Sequence, residues 1–458
     1  MVEHYLRSLR SAALIFRRGQ ESTADGFGAL DRELPQIVQA LAWLESFARL
    51  DKHAARLFIQ FALAGVDVLT ICQHPHERLR WLNTALEIAQ SWRDTNAECT
   101  FLYYLYLTHV HLSNLDAAEA AANQLLAQAR QHRNALAIGR ALMALGSLAD
   151  DRGDYASAER LLHESEAIFL RFNDRASLGK VYNVFGAVTL YRGDSRRAID
   201  YFKRYLQIVE ELGRQNEIAA ANLSLAQASM YPETLGECGE YIRRGIQIAR
   251  IIGNKRMLSN ALTTLGDWTL EIGDIEAACP HYEDAIRVAR EIALKSNIIH
   301  TQSSLGYAYF RLGEYRRALD QLRDALTLAQ QPEQPRYLCN ILRNLTYTYT
   351  ALNDLPAACQ ALHGGLLIAE RLDSDVQRIR TTVGAVMVGL SSGWHEQAAT
   401  WAGTIHRHED ADAPIFEPLL AQLETTLGSA AFHAALERGH VTPLHETVAA
   451  ILKTLEQP

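Results

Sequence analysis

A repeating ruler constrains this chain more than anything else in it. The stretch "LGSLADDRGDYASAERLLHESEAIF" begins at Leu145. Forty residues later the chain reads "FGAVTLYRGDSRRAIDYFKRYLQIV", and later "LGDWTLEIGDIEAACPHYEDAIRVA" and "LGYAYFRLGEYRRALDQLRDALTLA". Steps of 40 from Leu145 land on Phe185, Leu225, Leu265, Leu305 and Leu345. The next position reads Gly146, Gly186, Ala226, Gly266, Gly306, Thr346. A third column runs Gly153, Gly193, Glu233, Gly273, Gly313, Asn353, Gly393, and a fourth Ala118, Ala158, Ala198, Cys238, Ala278, Ala318, Ala358, Ala398. No insertion breaks the register from about residue 85 to 400. Self-similarity at such a period marks an array of small units, none of which can bury its apolar face alone.

Each unit reads as two helices. The first ends at a Gly-Asp or Gly-Glu pair, as at Gly153-Asp154 and Gly313-Glu314. Glycine adopts the left-handed conformation that closes a helix, and the acidic residue caps the next one. The second helix carries Ala318, Leu319, Leu322, Ala325, Leu326 and Ala329 at helical spacing. Gly146 and Ala158 stand where two helices must approach closely. Stacked pairs of this kind predict an all-α fold, a continuous α-solenoid with the first helices lining its inner face.

The pattern resembles the tetratricopeptide repeat. The residues that carry the likeness are the L-G pair, a following aromatic (Tyr309, Tyr349), the G-D/E turn, Ala, an aromatic or Leu (Phe202, Tyr282, Leu322) and Ala. The period is 40, longer than the usual ~34. This longer form is similar to the repeats of MalT-type regulators and other bacterial signalling ATPases with helical sensor arrays. The C-terminal "LGSAAFHAALERGHVTPLHETVAAIL" and the N-terminal "HYLRSLRSAALIF" resemble the ends of such arrays. The resemblance implies a right-handed superhelix in three parts. Residues 1–52 form an N-terminal helical cap or a degenerate repeat, 53–403 about eight to nine helix pairs, and 404–458 a C-terminal helical cap. It also implies an upstream or separate nucleotide-binding effector, because no G-x-x-x-x-G-K-[ST] occurs in this sequence.

Composition narrows the partners. A net charge of −8 argues against a general phosphate-backbone binder, and no basic recognition helix is evident. Arginine outnumbers lysine 39 to 6, which reads as the codon bias of a GC-rich bacterial genome. The cysteines Cys72, Cys99, Cys238, Cys279, Cys339 and Cys359 form no C-x-x-C pair and sit in apolar helical patterns. A reducing cytoplasm is the compartment they suggest. No secretory signal is evident, and the uncharged run Thr381 to Trp394 is too short to span a bilayer.

Signals for chemistry are weak. Gly389-Leu390-Ser391-Ser392-Gly393 matches the G-x-S-x-G nucleophile elbow, the basis of a remote serine-hydrolase alternative. That chemistry needs a strand before the serine, whereas Gly393 falls on the turn column. The pairs His74/His76, His109/His111 and His406/His408 are spaced by two, which puts them on different helix faces rather than around one metal. Gly26-Phe27-Gly28 lacks the third glycine of a dinucleotide loop. Asn222-Leu223-Ser224 and Asn344-Leu345-Thr346 match a glycosylation acceptor inside helices. The expectation is a non-enzymatic chain with no cofactor and no metal.

Other columns refuse to repeat. Carried over by register from the tetratricopeptide resemblance, the groove-lining positions of the first helices are polar. The first of these columns reads Arg140, Lys180, Ala220, Asn260, His300, Asn340, Arg380. The others add Asn183, Arg343, Asn344 and Tyr347, with Asp267 the sole acid among them. Asn can hold a peptide group by both donor and acceptor, and Arg offers a fork to a carboxylate. The cluster Asn340, Arg343, Asn344, Tyr347 with Arg380 is the expected hot spot, and Arg140, Lys180 and Asn183 a second. The partner these imply is a peptide, a protein segment or a small inducer, in a sensor. The rival is a passive assembly scaffold.

Overall fold

The computed structural model describes the chain except residues 1, 19–22, 73–74, 113, 231–233, 331–334, 373, 407, 409–410 and 457–458. At 2, 12–18, 23–32, 34, 66–72 and 75–76 the backbone alone is described. α1 (Val2–Arg18), α2 (Thr23–Ala48) and α3 (Lys52–Cys72) open the chain. Then come α4 (Pro75–Ser91), α5 (Thr95–His111), α6 (Leu115–Gln131), α7 (Ala135–Asp151), α8 (Tyr155–Arg171), α9 (Arg175–Tyr191) and α10 (Ser195–Glu211). α11 (Gln215–Ala228), α12 (Leu235–Ile251), α13 (Lys255–Glu271), α14 (Ile275–Glu291), α15 (Lys295–Arg311), α16 (Tyr315–Ala329) and α17 (Pro335–Ala351) follow. α18 (Leu355–Arg371), α19 (Asp375–Ser391) and α20 (His395–Ile405) complete the array. α21 (Ala413–Leu427), α22 (Ser429–His440) and α23 (Leu444–Leu455) close the chain. Among the described residues there is no strand.

From α4 to α20 a helix starts every twenty residues, so the structural period is half the sequence period. The cause is one turn used twice per repeat. After the first helix of a pair the left-handed residue is Gly153, Gly193, Gly273, Gly313 or Gly393, at φ of 78° to 91°. After the second helix the same conformation is held by Arg93, Arg133, Asn173, Gly213, Gly253 and Ala293. Four of these six, Arg93, Arg133, Asn173 and Ala293, are not glycine, which hides the second turn from a glycine count.

The following residue caps the next helix. Asp94, Asn134, Asp154, Asp174, Asp194, Asn254, Asp274 and Asp354 each accept a hydrogen bond from the backbone N–H three residues on. Such a cap contributes about 1 kcal/mol. Arg214, Leu294, Trp394 and Glu314 make no capping bond, and Glu314 pairs instead with Arg317 at 2.5 Å.

The small columns set the helix spacing. A Cβ on Gly186 would lie 2.4 Å from the Phe202 ring, and one on Gly306 2.7 Å from Leu322 Cγ. A second close approach sits further along each pair. There Ser165 Oγ donates to Gly139 O at 2.7 Å, and Ser259 Oγ to Ala285 O at 2.9 Å. From α1 to α22 each helix packs on the next, and α23 packs on α18, α19 and α20. First helices also touch the first helices of the next repeat, from α5 and α7 through α17 and α19, whereas neighbouring second helices lie farther apart. The array therefore curves with the odd-numbered helices inside. At the C-terminal end α22 crosses α20 backbone to backbone, where a Cβ on Gly439 would meet Thr400 O at 2.0 Å.

Ala293 is exposed and held at φ +50°. Ala293→Gly is expected to raise stability by about 0.5–1 kcal/mol, because an alanine in that region is strained. Gly306→Val should lower it by roughly 1–3 kcal/mol through overpacking against Leu322. Urea unfolding of both variants checks the pair; opposite signs to these would refute the turn and packing assignments.

Candidate functional site

The polar columns of the first helices end on the concave side. Arg140, Lys180, Asn183, Asn260, His300, Asn340, Arg343 and Arg380 are half-buried there. Lys180 on α9 places its Nζ over the Tyr103 ring of α5 at 5.8 Å, a reach across two repeats that the inside of a curve allows. Ser224 Oγ donates to Asn183 at 3.2 Å, and Arg343 Nη1 donates to Asn340 Oδ1 at 3.2 Å. The structure thus brings Asn340 and Arg343 together. Their expected companions Asn344 and Tyr347 are not presented to a ligand. Tyr347 has no exposure, sits 5.7 Å from the Phe310 ring and donates to the Arg380 carbonyl. Asn344 is buried and donates to Ser303. Helix-to-helix packing takes both side chains, because their columns turn toward the neighbouring first helices, Asn344 to α15 and Tyr347 to α15 and α19. Two polar atoms of the half-buried columns find no protein partner, Asn260 Oδ1 and Arg343 Nε, and neither does Oδ1 of the buried Asn344.

Acidic groups gather toward the C-terminal end of the same face. Asp267 accepts from Tyr282 Oη at 2.8 Å. Burial pushes its carboxyl up, opposed by the nearby His300. Glu271 is raised by burial and by Asp412 and Asp267. Tyr307 donates to both Asp412 oxygens, at 2.9 and 2.7 Å, tying the start of α21 to α15.

Residues missed by the sequence reading join repeats that are far apart in the chain. Arg336, in the first turn of α17, donates to Asp150 O at 2.5 Å and to Asp150 Oδ1 at 3.3 Å. Its guanidinium lies 3.8 Å from Asp151 and 3.7 Å from the Tyr191 ring centroid. Asp150 is pushed up to about 6 by burial, which outweighs the pull of Arg336. That balance fits the geometry, since the shorter hydrogen bond goes to the main-chain oxygen and the carboxylate receives the longer one. Arg256 stands at the same repeat position as Arg336, eighty residues earlier. Its Nη1 lies 3.2 Å from His111 Nε2, whose Nδ1 lies 2.9 Å from Arg78 Nη2. The signal was present in the register. Arg256 and Arg336 lie one helical turn before the first groove column, on the same face.

His111 therefore faces guanidinium groups on both nitrogens, surroundings that repel a metal cation. Among the described residues no set of three metal-ligating side chains gathers. His74 and the side chain of His76 lie outside the described residues. Ser391 is the last residue of α19, with Gly393 at φ +81° in the turn beyond. The elbow pattern thus falls on a helix end, without the strand it requires. Gly26–Gly28 lie within helix α2. Asn222 and Asn344 are buried in helices, unsuited to glycosylation. No helix among the described residues is long and apolar enough to cross a membrane.

Paired helices, a fixed period and small residues at the crossings define an α-solenoid of tetratricopeptide-like helix pairs. A tetratricopeptide-repeat family profile matches residues 137–211 and 257–331. No curated protein matches by sequence. Among solved structures, a Rap protein complexed with Competence and Sporulation Factor is similar at 12% identity, over 82% of this chain and 99% of that one, with a TM-score of 0.55. NprR in complex with its cognate peptide NprX aligns at 14% identity over 78% of this chain and 98% of its own, with a TM-score of 0.45. A signal transduction ATPase with a tetratricopeptide repeat sensor from Pyrococcus horikoshii aligns at 15% identity, over 87% and 55%, with a TM-score of 0.43.

The His111 environment carries a pH dependence. Burial, then Arg256 and Arg78, hold its pKa well below the ordinary 6.5. Below that value the unfolded chain takes up a proton that the folded ring refuses, so stability falls as pH drops, by up to about 1.4 kcal/mol per unit. Asp150, raised from 3.8 to about 6, acts in the opposite direction between those values. The difference between wild type and His111→Gln isolates the histidine. Urea midpoints should diverge below pH ~6.5, in favour of the variant, and parallel curves would contradict the assignment.

Proposed function

We propose that this chain is a non-enzymatic binding scaffold. It holds an extended peptide or protein segment against its concave face, as the sensor part of a bacterial, cytoplasmic regulatory system. One observation carries the reading: Asn260 and Arg343 each keep a polar atom with no protein partner along a half-buried concave wall. A buried unpaired polar atom costs about 1–3 kcal/mol, which a peptide group would recover once the side chain turns out toward it. Asn supplies both donor and acceptor to a backbone amide, and Arg343 and Arg380 supply cationic groups for a carboxylate. The likeness to the Rap protein, solved with a bound factor over nearly its whole length, supports the reading at the level of fold. Kinship with MalT-type regulators and a separate nucleotide-binding effector are part of this proposal. They would give the bound state something to act on.

The test is selection from a display library of random linear peptides. Wild type is compared with the double variant Asn260→Ala, Arg343→Ala. Enrichment of a sequence motif by wild type, with at least a tenfold loss of affinity in the variant (about 1.4 kcal/mol), is the expected result. Equal enrichment by both proteins, or none by either, would sink the concave peptide site. The variant should unfold within roughly 0.5–1 kcal/mol of wild type, since neither side chain fills the core.

A further inference from the structure

In a solenoid each repeat contacts only its neighbours. This one also contacts repeats four to six away, and the contacts follow a rule. First-turn arginines of later first helices meet the last-turn residues of earlier ones. Arg256 of α13 meets His111 of α5, and Arg336 of α17 meets Asp150 and Asp151 of α7 and Tyr191 of α9. The turn after α7 touches the turn before α19 as well, where a Cβ on Gly153 would fall 2.8 Å from Leu372 O.

We infer that Arg336, with Arg256 as its equivalent two repeats earlier, is a clasp that holds successive turns of the superhelix together along the side of the concave channel, and that its release opens the channel laterally. The chemistry of the seam separates it from the rest of the structure. Consecutive helices are joined by broad apolar surfaces built on Phe185, Phe202, Tyr282 and Leu322. Beside the contacts of Leu372 with Gly153 and of α1 with α11, the turns are joined at these arginines by a few hydrogen bonds, an ion pair and a cation–π stack, groups that exchange protein partners for water at small net cost. The seam is therefore the interface that parts first. Arg336 is well suited to hold it. It is 14% exposed, sandwiched between the Tyr191 ring and the end of α7, and its short hydrogen bond goes to a main-chain oxygen. The Asp150 carboxylate is a secondary attachment. The inference rests on these contacts alone and stands whatever the ligand.

The experiment is small-angle X-ray scattering on the full chain without ligand, with circular dichroism as the check on folding. A compact chain of this length has a radius of gyration of roughly 23 Å. Arg336→Ala should shift the radius of gyration and the maximum dimension upward relative to wild type with helical signal kept, and the double variant Arg256→Ala, Arg336→Ala further still. Asp150→Asn, which leaves the main-chain acceptor and the stack in place, should scatter like wild type. Tyr191→Ala removes the stack at a 41% exposed position and decides the matter if Arg336→Ala loses its helical signal. An unchanged radius of gyration in Tyr191→Ala and in the folded arginine variants would overturn the clasp. Expansion of Asp150→Asn equal to that of Arg336→Ala would overturn the assignment of the main-chain oxygen and the ring as its anchors.

Discussion

The whole architecture depends on one turn. A left-handed residue reverses the chain, and the next residue caps the new helix by accepting an N–H from three positions on. The turn recurs at twenty-residue steps along most of the array, with the cap at most of its helix starts, so most of its helices are 17 residues long and their crossings fall at similar heights. A run of 17 residues rises about 25 Å, so the two faces of the array sit at a constant separation. No single repeat needs a large core under this arrangement. Each contributes a thin apolar layer, and neighbouring layers join into clusters, the two largest in the N-terminal and C-terminal parts of the described residues.

Equal lengths alone would give a straight stack. Curvature comes from where the small side chains sit. Gly146, Gly186, Gly266 and Gly306 let the two helices of a pair close up, and their neighbours across the crossing are Leu162, Phe202, Tyr282 and Leu322. First helices also contact one another from repeat to repeat, while second helices splay. The inside of the curve is short enough that α17 returns to α7 and α9. The polar concave columns and the long-range contacts therefore share one cause. Both belong to helix faces that are left without an apolar neighbour and that face each other across the bend.

The repeat, the helix pairs and the capping acids were legible in the sequence because each rests on a local rule: periodicity, glycine at a turn, Asp after it. The second turn was not, since Arg93, Arg133, Asn173 and Ala293 adopt the glycine conformation at some cost in strain. The candidate site was legible as a face and not as a set of contacts. Register grouped Asn340 and Arg343 on one half-buried stretch of α17, but Asn344 and Tyr347 turn into the seam between first helices. That outcome depends on how closely α15, α17 and α19 approach. Arg256 and Arg336 were visible as a column. Their partners were not, because which earlier repeat they meet is set by the pitch of the superhelix, a sum over many small rotations that no single repeat encodes.

The seam changes what kind of object the array is. With neighbour contacts alone, stability is a sum of repeat and interface terms, and the ends fray independently of the middle. A contact between Arg336 and Asp150 closes a loop of some 186 residues, so the intervening repeats open or hold together. Closing a flexible loop of that size is costly in entropy. Here the cost is borne by the rigid stacking of α8 to α16, which delivers the two groups to each other already oriented. A few polar bonds can then hold a large assembly shut. Those same bonds, being polar and few, can be exchanged for others without disturbing the apolar layers beneath. That division, rigid within a turn and loose between turns, lets a chain built of one repeated unit have two shapes.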